Sequence, residues 1–503
     1  MKLKKVSALI ALSSILAAVT ACQINPTTDP EGSSVGGGVT TDKVTTGGLM
    51  ASAIVHNSSK VSESGVHSFI LSNGMKVLVK PDHRSPVAVS QVWYKVGGSY
   101  EYAGVTGVSH ALEHMMFKGT KNLKPGEFSE IIAANGGSEN AFTGKDYTAY
   151  FQRISSDRLE LCLRNEADRM RNLQLNEAEF KKEIEVIKEE RRSRTDDNPT
   201  SLTYERFNAA AFINSSYQQP IIGWMEDLDS MQLTDLSQWY QTWYAPNNAT
   251  LVIAGDVDVQ QVKVWAEKYF GVLKPSTIIP PKPRREVEQK GERRITVKLP
   301  AKVPYLLMGY KVPVLKSLLA EQKNTDDIYA LEVLAGVLDG GQSSRLSRRL
   351  VREDEIASSA GAGYDPYARQ QTLFLFDGAP RDGHSVKELE QAIKNQIAEI
   401  QKTPPSRQEL DRVKAQVMAS SVYEKDSVFY QAMQLGTLET VGVGWQKKDE
   451  YLKKIQQVTA QQVQDVAKKY LINDSLTVAV LEPQPIDATQ QRRSGAAGGR
   501  HAR

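Results

Sequence analysis

Cysteine is almost missing from this chain: Cys22 and Cys162 are the only two in 503 residues. A framework of several disulfides is therefore excluded as what holds the fold together. Neither sign of charge is in excess, with 62 Lys and Arg against 59 Asp and Glu and a net charge of +3. Nothing in that balance argues for nucleic acid as a partner. The N-terminal apolar stretch Val6–Val19 is about fourteen residues long, too short to span a bilayer comfortably. Composition is otherwise that of an ordinary soluble chain, 40% hydrophobic and 24% charged, with length for two or more domains. Histidine is scarce as well, at seven. Two of the seven stand in one pentapeptide.

That pentapeptide is His110-Ala111-Leu112-Glu113-His114. On a helix, residues three and four apart share a face. With His110 at 0°, Glu113 falls near about 300° and His114 near about 40°. Two imidazoles so placed can hold one metal ion, with a carboxylate beside them to reach water at that ion. Val105, Val108, Ala111, Leu112, Met115 and Met116 fill the rest of the wheel, a packed back to a chemical front. Two histidines four apart can equally be surface or core residues, so a third ligand decides. Cys162, in Leu161-Cys162-Leu163, reads as a buried small hydrophobe and not as a nucleophile.

The run from Glu183 to Arg192 reads as a strongly charged helix. Its wheel places Glu183, Val186, Ile187 and Glu190 on one inward stripe, with Glu189 on the polar side near Lys182, Glu185 and Arg192. A carboxylate on a buried stripe is costly unless a cation or hydrogen bonds satisfy it. Glu190 is thus the better third ligand, with Glu189 as the fallback. Glu183 would hold a ligand histidine or the metal shell in place.

Here the sequence resembles the insulinase/pitrilysin zinc metallopeptidases, which carry the inverted His-x-x-Glu-His motif. Glu190 lies 76 residues after His114 and seven after Glu183, and both separations match the family's pattern. The string from Gly107 to Thr120 is similar to the family signature, and the likeness extends from about residue 66 to 485. The resemblance implies one zinc ion per chain on His110, His114 and Glu190, with Glu113 as general base and Glu183 in support. It implies an α+β fold of two homologous α/β domains, each an antiparallel sheet flanked by helices, enclosing a chamber. Glu139–Thr143 would be an edge strand to which an extended peptide adds, with Asn140, Ala141 and Phe142 as binding residues. Arg352 matches a family arginine that clasps the peptide, but the tyrosine expected seven residues on is Ser359 here. Tyr364 is a substitute candidate. Partners implied are peptide substrates and a second chain, either a copy of itself or a similar chain lacking the motif. A non-catalytic scaffold subunit and a processing peptidase dedicated to one protein are the competing readings.

Residues 1–21 read as an export signal, with Lys2, Lys4 and Lys5 ahead of the apolar core. Val19-Thr20-Ala21-Cys22 resembles a bacterial lipoprotein cleavage box. It implies acylation of Cys22, a lipid anchor in the cell envelope facing the periplasm and, from Gln23, the outer membrane. A plain secretory signal is the alternative. Residues 22–65 are a Gly/Ser/Thr-rich tether, 66–274 the metal-bearing domain and 275–290 a proline-rich linker. Residues 291–485 form a homologous domain without the motif, and 486–503 a disordered tail. The homology rests on a repeat: Thr234 to Leu251 and Thr459 to Leu476 are similar helix–strand units at a shift of 225 residues.

Overall fold

The computed structural model describes residues 60–61, 65–282 and 284–486. Cys22, the export signal, most of the tether and the end of the tail lie outside them.

Two mixed sheets organise the chain. The first contains β1 (Lys60–Val61), β2 (His67–Ile70), β3 (Lys76–Pro81), β4 (Val87–Tyr94), β5 (Ser138–Thr143), β6 (Thr148–Ser155) and β7 (Ala249–Gly255). Its strand order is β1-β2-β3-β7-β4-β6-β5. The second contains β8 (Arg293–Pro300), β9 (Tyr305–Val312), β10 (Ala357–Gly363), β11 (Thr372–Pro380) and β12 (Leu476–Gln484), in the order β10-β11-β9-β12-β8. Neighbours run antiparallel except for one parallel pair in each sheet, β3 with β7 and β8 with β12. Counted from β3 and from β8, the two orders are the same: first strand, last, second, fourth, third. The repeat is therefore topological.

The shift between the halves is 227 residues, two more than the sequence suggests. Helices start at Leu233 and Ala460, single turns at Pro246 and Asn473, and strands at Ala249 and Leu476. Matching Thr234 to Thr459 causes the error. Thr459 caps its helix and accepts a backbone bond from Gln462, whereas Thr234 is already inside its helix behind the cap Gln232.

Alternation along the strands gives each sheet two apolar faces. On the first sheet Val77, Val92, Tyr94, Leu251 and Ile253 pack on helices of the same half. Leu78, Trp93, Val252 and Ala254 face the other way. That second face is covered by a helix from the opposite half, and the arrangement is reciprocal. Pro199–Ala211, a first-half helix, lies on β12 and β8, while Val428–Thr440, a second-half helix, lies on β7 and β4. The two contacts invert one another. Trp93 on β4 fills the space over Gly436, where a Cβ would stand 2.1 Å from the indole, and Phe207 on its helix fills the space over Gly309 of β9. Each of these faces is packed against a helix of the opposite half.

Among the described residues between Tyr269 and Arg293 there is no helix or strand, in keeping with the prolines there. The segment is nonetheless tied down. The buried Glu286 carboxylate accepts the backbone N–H groups of Ile213, Asn214 and Ser215 and pairs with Lys311 at 2.7 Å.

Candidate metal centre

The motif forms the helix Val108–Met115, here α1. Val105 precedes it. Unlike the wheel's division into back and front, every residue of α1 is buried. Glu101 anchors its start by accepting the N–H groups of Gly107 and Ser109 at 2.7 and 2.9 Å. Burial pushes this carboxyl up to about 7, against the pull of those two bonds. Gly107 sits at φ 87°, and a Cβ there would stand 2.5 Å from the Ile222 carbonyl, so only glycine lets the chain enter the helix.

The second element is Glu177–Arg191, α2, capped by Asn176. Its inward face carries Phe180, Glu183, Ile184, Ile187 and Arg191, while Val186, placed inward by the wheel, is half exposed. The choice between adjacent glutamates is clear in the geometry. The Glu190 side chain is 10% exposed and that of Glu189 is 72% exposed, paired outward with Arg192.

His110, His114 and Glu190 offer ligand atoms that all lie within 4.8 Å of one another. Glu190 Oε2 is 3.9 Å from His110 Nε2 and 3.5 Å from His114 Nε2. Ligand atoms around a tetrahedral ion with bonds of about 2.0–2.2 Å stand roughly 3.3–3.6 Å apart. The cluster therefore fits such an ion with small closure. Its protonation fits too. Burial, reinforced by the neighbouring His114, pushes His110 down to about 3. At Glu190 burial acts upward, but the His114 hydrogen bond and the charges of His110, His114 and Arg194 outweigh it and hold the carboxyl at about 2. Neutral imidazole and ionised carboxylate are the forms a metal binds.

Supporting contacts surround the cluster. His114 Nδ1 is 3.1 Å from Glu183 Oε2, which fixes the proton on Nδ1 and turns Nε2 inward. Lys118 holds the other Glu183 oxygen at 2.7 Å, and Arg194 pairs with Glu190 Oε1. His110 Nδ1 is buried without a hydrogen-bond partner among the described residues. The histidines are thus unequally braced. Glu183→Gln is expected to weaken metal binding about 10- to 100-fold by loosening His114. Competition with a chromophoric chelator measures this, and unchanged affinity would exclude the bracing role.

Glu113 is buried beside the ligands, and Thr143 at the end of β5 donates its hydroxyl to Glu113 Oε2. Burial pushes Glu113 up to about 7, against His114 and the Thr143 bond. A group poised there can take and return a proton near neutrality.

β5 ends the first sheet, so Asn140, Ala141 and Phe142 lie on an edge strand. Ala141 and Phe142 are buried, and the Asn140 side chain accepts the Ala141 N–H at 2.8 Å. Arg352 is not brought to the metal cluster by any contact it makes. It is exposed and donates to the Gln342 carbonyl at 2.6 Å. Ser359 is exposed on β10, the edge of the second sheet. Tyr364 does not replace the missing tyrosine: its hydroxyl donates to Pro313 O at 2.7 Å and its ring stacks on Phe374. Cys162 is fully buried in the first-half core. Sequence reasoning missed Glu101, Lys118, Thr143 and Arg194. Of these, Thr143 carried a signal as the last residue of an edge strand, and Arg194 as the residue four after Glu190.

Comparison with known proteins agrees with the geometry. Residues 76–224 match the model of the insulinase family, peptidase family M16, and residues 230–417 match that of the peptidase M16 inactive domain. The chain is 34% identical over 364 residues to the zinc protease PqqE of Helicobacter pylori, covering 72% of this chain and 80% of that one. It is 27% identical to the uncharacterized zinc protease YmxG of Bacillus subtilis, covering 83% of this chain and 98% of that one. The crystal structure of a protease from Helicobacter pylori superposes with a TM-score of 0.79 at 31% identity, covering 84% of this chain and all of that one. With a His-His-Glu group able to hold a metal ion, a doubled fold and these relatives, the chain belongs to peptidase family M16, the insulinase family.

Proposed function

We propose that this chain is a zinc-dependent endopeptidase that cuts peptide bonds in oligopeptides or extended segments. The observation that carries the proposal is the convergence of His110, His114 and Glu190 beside Glu113, at the end of a sheet edge that is unpaired among the described residues. Two histidines and a glutamate are a donor set that zinc takes in hydrolases with one coordination position left open. Zinc held there supplies a Lewis acid that acidifies water and polarises a carbonyl.

The rest of the chemistry belongs to the protein. Thr143 keeps one Glu113 oxygen occupied, which leaves Oε1 to accept a proton from the attacking water and deliver it to the departing amine. β5 offers backbone groups to an extended peptide, so flexible segments bind and rigid folded ones do not. The Asn140 side chain caps the Ala141 N–H until a peptide replaces it. Arg352 is held to the Gln342 carbonyl and Ser359 is exposed on β10, so the peptide-clasping role of Arg352 rests on the resemblance alone.

Metal content tests the proposal. A peptidase carries one zinc per chain after purification without chelator. A chain that takes up no zinc would favour the scaffold reading. Profiling against mixed peptides then separates a broad enzyme, which cuts many, from one dedicated to a single partner.

A further inference from the structure

The half without metal ligands reaches deep into the other half through the segment joining β10 to β11. Arg369 leads it. Its backbone N–H donates to Asp146 Oδ2 at 2.8 Å and its Nε to Asp146 Oδ1 at 3.3 Å. Its Nη2 donates to the Ser99 hydroxyl at 2.7 Å and to the Ser99 carbonyl at 3.2 Å, and the guanidinium lies 4.2 Å from the centre of the Tyr100 ring. Asp146 is 4% exposed and also accepts the hydroxyls of Ser99 and Tyr217. Among the described residues Arg369 makes the one close ion pair with Asp146, while Lys145 and Lys316 act on it from farther off.

Asp146 stands in the turn that joins β5 to β6. That turn packs closely on the loop before α1: Gly98 N–H bonds to Gly144 O at 3.1 Å and Ser99 N–H to Lys145 O at 2.6 Å. A Cβ on Gly97 would stand 2.4 Å from Gly144 O, so the two loops are in close backbone contact. Thr143, the residue before the turn, bonds Glu113. A buried carboxylate that loses its directly paired cation is destabilised in that position, and the strain falls on the turn that carries it.

We propose that Arg369 is a positioning residue: by pairing with Asp146 and bridging to Ser99, it holds the β5–β6 turn so that edge strand β5 presents its backbone to a peptide. The metal-free half thus acts on the substrate side of the site although it holds no ligand. This rests on the peptidase reading for what β5 binds, but not for the bracing itself.

The test compares Arg369→Gln, Arg369→Lys and Ser99→Ala, each zinc-loaded. Binding of a fluorescent extended peptide is measured with Glu113→Gln present to prevent turnover. Arg369→Gln is expected to raise the dissociation constant about tenfold. Arg369→Lys, which keeps a charge on Asp146, stays within about threefold, and Ser99→Ala shifts binding in the same direction by less. Zinc affinity stays within about threefold in all, because the ligands come from α1 and α2. Amide exchange, read without substrate, speeds up across residues 140–147 in Arg369→Gln but not across 108–115. Unchanged exchange at 140–147, or a parallel loss of zinc and peptide binding, overturns the proposal. The expected exchange difference between Arg369→Gln and the parent, together with a zinc-loaded parent that cuts no peptide, refutes the peptidase reading alone.

Discussion

Glu113→Gln lowers turnover by about 10²- to 10⁴-fold while zinc stays at one per chain. The amide is the same size and still accepts the Thr143 hydroxyl through its oxygen, so the packing around α1 survives. What it loses is the ability to take a proton. Burial lifts Glu113 to about 7, and a cation at the ligand cluster pulls it back down. The acid limb of kcat/KM in the wild type therefore lies at or below about 7. Activity falls with falling pH because a protonated Glu113 cannot act as a base. Any residual activity of the variant lacks that limb. Metal analysis beside steady-state kinetics on one peptide checks both halves of the expectation. Wild-type turnover in a fully loaded variant would remove Glu113 from the reaction.

Glu190→Gln empties the site. Replacing the one anionic ligand leaves two neutral imidazoles and frees the Arg194 cation beside them, so zinc affinity falls by more than the roughly 100-fold that a supporting residue can cost. Glu189→Gln, one residue away and turned to solvent, leaves affinity unchanged. The pair is a sharp control because both variants alter the same helix and charge. Chelator competition reads the two constants. Equal losses, or a larger loss at Glu189, would mean that the helix is rotated from the placement described.

Much of the site is legible in the chain because it is periodic. His110, His114 and Glu113 share a face by spacing alone, and Glu190 separates from Glu189 by one step of the wheel. The wheel fails at Val186, which lies at the margin of the stripe and is half exposed. It also fails to see that α1 is buried all round, since the loop at Ile222 and Gly223 closes on Gly107 from more than a hundred residues away. Lys118 and Arg369 act across 65 and 223 residues of chain, separations that leave no local pattern, whereas Glu101 and Arg194 act within eight and four residues of their partners. The fold follows the same division. Alternation predicts the strands and the helix–strand repeat reveals the doubling, but the exchange of covering helices depends on complementary shapes: Trp93 over Gly436 and Phe207 against Gly309. Tyr364 looks available in sequence, and only the bond to Pro313 removes it.

The central claim is that His110, His114 and Glu190 hold a zinc ion that works with Glu113 on peptide bonds. The most direct measurement is a digest of a mixed peptide pool with products identified by mass, run with wild type, chelated wild type, zinc-restored wild type and Glu113→Gln. New termini are predicted in the first and third samples alone. Cleavage that persists in zinc-free protein or in Glu113→Gln, or its absence from fully loaded wild type, would contradict the account.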